Sequence, residues 1–83
     1  MQYHYSRSKS IKTELLTRRI ELLSKNYKQA WVPIFGGFID LINQLPGDTS
    51  YSQASALVKH YSRVPTIRQK LMQVVNQAYE VGL

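Results

Sequence analysis

Apolar residues recur at three- and four-residue steps through most of this chain, and those steps predict four helices. Ile11, Leu15, Leu16, Ile20, Leu23 and Tyr27 mark one face of a first helix over about 9–28, which Ser8 or Ser10 is placed to cap. Phe35, Phe38, Ile39, Leu41, Ile42 and Leu45 fall in a second segment, about 30–45, that is apolar nearly all round. That pattern predicts the central helix of a small bundle. Pro33 fits its first turn, where the missing N–H costs nothing. Gly36 and Gly37 inside it cost about 1 kcal/mol each in helix propensity, so they predict a close approach by another helix or a kink. Pro46-Gly47-Asp48 ends the segment.

The last third reads as two capped helices joined by a turn. Thr49 or Ser50 caps a third helix over about 50–61, with Ser50-x-x-Gln53 as a capping box. Tyr51, Ala54, Leu57, Val58 and Tyr61 form its inner face. A fourth helix begins near Pro65 or Thr66 and runs to about 80. Thr66-Ile67-Arg68-Gln69 reads as a second capping box, and Gly82 is placed to end the helix. Its inner face is Ile67, Leu71, Val74, Val75, Ala78 and Tyr79. The predicted fold is therefore all-α, a single small domain of four helices. Helices 3 and 4 form a helix-turn-helix-like pair, with residues 1–8 as a flexible arm and 9–83 as the helical domain. No internal repeat or low-complexity tract stands out.

Composition narrows this picture. Eighty-three residues make one domain with a thin core. Cysteine is absent, so stability rests on packing and on any partner subunit, and the expected compartment is the reducing cytoplasm. Met1-Gln2-Tyr3-His4-Tyr5 has no apolar run behind it and does not read as a secretory signal. The most apolar stretch, 30–45, is interrupted by Pro33, Gly36 and Gly37, carries Asp40, and is too short to span a bilayer. Net charge is +6, concentrated in two blocks. Arg7, Lys9, Lys12, Arg18, Arg19, Lys25 and Lys28 form the first, and Lys59, Arg63, Arg68 and Lys70 the second. Such a field draws polyanions: nucleic acid, an anionic membrane surface or an acidic protein.

With its apolar positions turned inward, the fourth helix leaves Thr66, Gln69, Lys70, Gln73, Asn76 and Gln77 outside. Carboxamides bond bidentately to adenine edges and lysine donates to guanine, so Thr66, Gln69, Lys70 and Gln73 are candidate base-reading residues. Arg63 and Arg68 stand at the helix entrance as candidate phosphate contacts, joined by Lys9, Lys12 and Arg19 on a basic face of the first helix. The same residue types also make ordinary solvated helix surface. Two histidines and five scattered carboxylates show no paired spacing, ligand cluster, phosphate loop or nucleophile elbow. The expectation is a non-enzyme with no cofactor and no metal.

Two resemblances add to this reading. Val64-Pro65-Thr66-Ile67-Arg68-Gln69-Lys70-Leu71, ending in Gly82-Leu83, resembles the recognition helix of GntR-type winged helix-turn-helix regulators. The likeness covers residues 53–83. It departs from that family in the register of the packing alanine (Ala56) and in Tyr61 or Ser62 where a turn glycine is usual. His60-Tyr61-Ser62-Arg63-Val64-Pro65 resembles the entry to the last helix of small bacteriocin-immunity proteins, which are basic four-helix bundles. The first resemblance implies a double-stranded DNA partner and suits a homodimer. The second implies binding at a membrane-associated protein or an anionic membrane surface.

Overall fold

The computed structural model describes residues 9–81, so the 1–8 arm, Gly82 and Leu83 lie outside it. The chain runs β1 (Ser10–Lys12), α1 (Thr13–Ser24), a 3-10 turn (Gln29–Trp31), α2 (Val32–Ile42), β2 (Asp48–Ser50), α3 (Tyr51–Tyr61) and α4 (Pro65–Tyr79). Four helices dominate, as the periodicity predicts. The mostly helical fold class holds, and a small sheet of two three-residue strands is added to it. They pair antiparallel, with Ser10 opposite Ser50, Ile11 opposite Thr49 and Lys12 opposite Asp48.

The strands exist because residues 9–12 find backbone partners across the chain instead of along it. Gly47 adopts a left-handed φ of 67°, open to glycine at no steric cost, and turns the chain back toward the N-terminal segment. Thr13 N–H then donates to the Gly47 carbonyl at 2.9 Å, and Tyr51 N–H to the Lys9 carbonyl at 3.0 Å. Consequently Ser10 lies in a strand and caps nothing, and α1 starts after Lys12 with no side-chain cap.

The element order is strand, helix, helix, and then the same again. Burial repeats with it. Ile11, Leu16 and Ile20 are matched by Thr49, Ala54 and Val58, each 38 positions later. Phe35, Phe38 and Ile42 are matched by Leu71, Val74 and Ala78, each 36 positions later. The repeat is one of architecture. Paired positions share burial and not residue type, which is why the sequence shows no repeat.

Three further expectations change. On α1 the buried row is Thr13, Leu16, Thr17, Ile20 and Ser24, while Leu15 is 44% exposed. The short hydroxyl residues go inside because their oxygens are satisfied. Thr13 and Thr49 share a hydrogen bond of 2.6 Å, Thr17 donates to the Glu14 carbonyl and Ser24 to that of Glu21. α2 buries one row, Phe35, Phe38 and Ile42, and leaves Val32 exposed. The most deeply enclosed helix is α4, through Leu71, Val74, Val75, Ala78 and Tyr79. Only one of the two α2 glycines has a packing role. A Cβ on Gly37 would overlap the Tyr61 hydroxyl and stand 3.2 Å from Cζ of that ring, whereas Gly36 faces open space.

The α3 capping box forms as expected. Ser50 Oγ accepts from Gln53 N–H at 3.1 Å, and Gln53 Oε1 accepts from Ser50 N–H at 2.8 Å. The second box does not, because α4 begins at Pro65 and places Thr66 inside its first turn. At the other end Glu80 takes the left-handed conformation, φ 58°. Val81 N–H reaches the Asn76 carbonyl at 2.9 Å and Glu80 N–H that of Gln77 at 3.2 Å, a Schellman closure.

Candidate nucleic-acid interface

Two surfaces of this fold present polar groups in ordered array. One is the strand pair. Alternation along a strand sends neighbouring side chains to opposite faces. Ile11 and Thr49 accordingly point into the core, while Ser10, Lys12 and Asp48 are exposed and Ser50 is half-exposed. The outward face is thus a two-by-two array, Ser10 across from Ser50 and Lys12 across from Asp48.

The array is held rigidly from behind. Tyr79 is fully buried, and its hydroxyl donates to the Thr49 carbonyl at 2.7 Å. Burial pushes the phenol up to about 12. The Tyr51 ring meets Tyr79 edge-on at 5.5 Å, and the Tyr51 hydroxyl donates to Asn76 Oδ1 at 2.6 Å. Lys9, just before β1, donates its ammonium to the Tyr79 carbonyl and lies 3.9 Å from the Glu80 carboxylate. The ribbon is therefore anchored to the last turn of α4.

The second surface is the outer side of α4. Thr66, Gln69 and Gln73 are exposed there. Lys70 is half-buried, its ammonium 5.7 Å from the Tyr27 ring centroid and 6.0 Å from that of Trp31. Such contacts are worth about 0.5–1 kcal/mol at exposed sites. Gln73 Oε1 accepts from the Tyr27 hydroxyl at 3.3 Å. Two of the four residues singled out for base reading are thus engaged by the α1–α2 connection, while Thr66 and Gln69 project from the first turns of the helix.

The cations singled out for phosphate contact divide in the same way. Arg68 donates Nε to the Ser62 carbonyl at 2.5 Å and an Nη to the Lys59 carbonyl at 3.1 Å, closing the end of α3. Arg19 donates to the Ala78 carbonyl at 2.9 Å and, with Lys9, closes the end of α4. Cations at helix C-termini satisfy orphan carbonyls and oppose the negative end of the helix dipole. Lys12 and Arg63 remain exposed. The continuous basic face expected on the first helix is not formed, because Lys9 and Lys12 precede α1 and Lys28 follows it.

Among the described residues no three His, Asp or Glu side chains gather as metal ligands, and no helix is long and apolar enough to cross a membrane. Nothing in the sequence announced the ribbon: three-residue strands are too short for periodicity, and Gly47-Asp48 was the one turn signal beside them. No protein-family model, curated protein or solved structure matches this chain.

Proposed function

We propose that this chain is a small double-stranded DNA-binding protein that lays the β1–β2 ribbon in the major groove. The observation that carries the reading is the polar outer face of Ser10, Lys12 and Asp48, with half-exposed Ser50 beside them capping α3, on a ribbon whose other face is locked into the core. The major groove admits a two-stranded antiparallel ribbon as well as a helix, and a pre-anchored ribbon loses little freedom on docking. Each strand–helix–helix unit also carries an exposed cation ahead of its second helix, Lys28 before the 3-10 turn that leads into α2 and Arg63 two residues before α4. Helix N-termini favour phosphate, so these two cations suit contacts to the DNA backbone. The net charge of +6 supplies the attraction.

In this reading one chain provides both strands of the reading element. A second copy would serve a neighbouring site, about 34 Å along the duplex if it engages the same face. The helix-turn-helix alternative keeps α3, the Ser62–Val64 turn and α4 as the reading unit, and is favoured by the exposure of Thr66 and Gln69. Lys12→Ala and Gln69→Ala separate the two. The one that relaxes sequence preference by about 1–3 kcal/mol identifies the reading element.

A protein- or membrane-surface role, as in an immunity-type bundle, is favoured by a different observation. Leu15 and Leu22 are 44% and 57% exposed on α1, beside Arg18, Arg19 and Lys25. The discriminating experiment is binding to a random-sequence duplex by fluorescence anisotropy at low salt and at about 200 mM salt, with anionic vesicles in parallel. Sub-micromolar duplex binding that weakens steeply with salt supports the DNA reading. No duplex binding at low salt overturns it, and vesicle binding then supports the second reading.

A further inference from the structure

An antiparallel strand pair has a local two-fold axis, and here that axis passes between Ile11 and Thr49. When such a ribbon comes from two identical chains, the two ends of its outer face are the same, and the DNA site mirrors that symmetry as a palindrome. In this chain both strands belong to one polypeptide, and their sequences differ: Ser10-Ile11-Lys12 against Asp48-Thr49-Ser50. The axis relates Ser10 to Asp48 and Lys12 to Ser50. One end of the outer face therefore carries the Lys12–Asp48 cross-strand pair and the other the Ser10–Ser50 pair. The fold is symmetric in outline and polar in chemistry.

Resting on the DNA-binding reading, we propose that the target is a non-palindromic duplex site with a G·C-containing step beneath the Lys12–Asp48 end. The assignment follows from what each base edge offers. Lysine donates to guanine O6 and N7, and an aspartate accepts from the cytosine N4 amino group. Lys12 and Asp48 are both exposed and directly opposite one another, so they reach the same or adjacent base pairs. Among the described residues the ion pair closed to within 4.0 Å is Lys9–Glu80, not Lys12–Asp48. The donor and the acceptor thus both stay open toward the groove. Ser50 Oγ is held as the α3 cap, and the exposed Ser10 hydroxyl donates or accepts, so the Ser10–Ser50 end tolerates several base pairs. An acidic side chain on a DNA-facing surface is repelled by phosphate, and a base-edge donor is what offsets that repulsion.

The experiment is selection from a randomised duplex library with the full chain, repeated with Lys12→Met and Asp48→Asn. Both side chains are exposed, so each variant should fold, which circular dichroism checks before selection. The expected wild-type result is a motif without two-fold symmetry, with G·C preferred roughly ten-fold at one end. Lys12→Met should erase the guanine preference there. Asp48→Asn should exchange cytosine for adenine, because a carboxamide pairs with adenine N6 and N7. A palindromic motif overturns the proposal, as does a motif that neither variant alters. Tight binding without sequence preference overturns it while leaving the DNA-binding reading in place. Failure to bind any duplex at low salt overturns both together.

Discussion

Removing one oxygen, Tyr79→Phe, tests whether the ribbon is held from behind as described. The ring would still fill its fully buried site, so packing is conserved and the hydrogen bond is isolated. The hydroxyl donates at 2.7 Å to the Thr49 carbonyl, in the middle of β2. Losing that donor leaves a carbonyl without this partner in a closed interior, which costs about 1–3 kcal/mol. For a domain of this size the melting temperature should fall by roughly 4–8 °C per kcal/mol. The same hydroxyl predicts an alkaline signature. Burial raises the phenol from 10.0 to about 12, so the folded chain keeps a proton that the unfolded chain releases above pH 10. Its contribution is intact below pH 10 and is lost as pH climbs toward 12. The slope is about 1.4 kcal/mol per pH unit, or roughly 2–3 kcal/mol in all. Urea unfolding followed by circular dichroism, at pH 7 and at intervals from 9.5 to 12, measures both effects. Wild type should lose its advantage over Tyr79→Phe through that alkaline window. Equal stability of the two proteins at pH 7, or a constant difference up to pH 12, would refute the anchoring role.

Further substitutions at Gly36, Gly37 and Arg68 probe contacts that separate similar residues. Gly36→Ala should stabilise by about 0.5–1 kcal/mol, because its Cβ enters open space in a helix interior, whereas Gly37→Ala should destabilise by about 1–3 kcal/mol by displacing Tyr61 from Phe38. Chemical denaturation of the pair decides it, and equal effects would contradict the packing. Arg68→Lys keeps the charge but loses the planar fork that reaches two carbonyls, so it should cost about 1–2 kcal/mol of stability. If Arg68 served as a phosphate contact instead, the lysine variant would keep its stability, and DNA affinity would be the quantity that changed in Arg68→Ala.

The helices were legible in the sequence because each is long enough for a buried row to repeat. α4 illustrates this best, with Leu71, Val74, Val75, Ala78 and Tyr79 placed correctly by spacing alone. The strands were not legible because three residues give one alternation, and Ile11 continues the helical spacing of Leu15 and Leu16 as readily as it fits a strand. What decides the matter is non-local: residues 10–12 pair with 48–50 only after a turn at Gly47 and two intervening helices. The apolar spacing did not mark Thr13, Thr17 and Ser24 as buried for a related reason. Their burial depends on oxygens finding partners, which hydropathy does not encode. The carboxamide-rich outer side of α4 could be read from the sequence, whereas the serine, lysine and aspartate face of the ribbon could not. Lys9 and Arg19 meet carbonyls 70 and 59 positions away, a distance at which no local pattern signals a contact.

That redistribution of cations fixes how strongly salt should act. Lys9, Arg19 and Arg68 donate to helix-end carbonyls, and Lys70 lies over two aromatic rings. These four are poor sources of released counterions, because meeting a phosphate would uncap a helix or uncover a ring. Of the exposed cations, Lys12 lies on the ribbon, and Lys28 and Arg63 stand before the second helix of each unit. With Lys12 assigned to a base edge, Lys28 and Arg63 set the expected number of phosphate neutralisations, so log K should fall with log salt at a slope of about −2. A net charge of +6 read without the structure invites a slope about three times as steep. Titrations between 50 and 200 mM salt distinguish the two values. A slope near −6 would mean that the caps give way or that Arg18, Lys25 and Lys59 also meet the duplex, and the ribbon geometry would then describe only part of the contact.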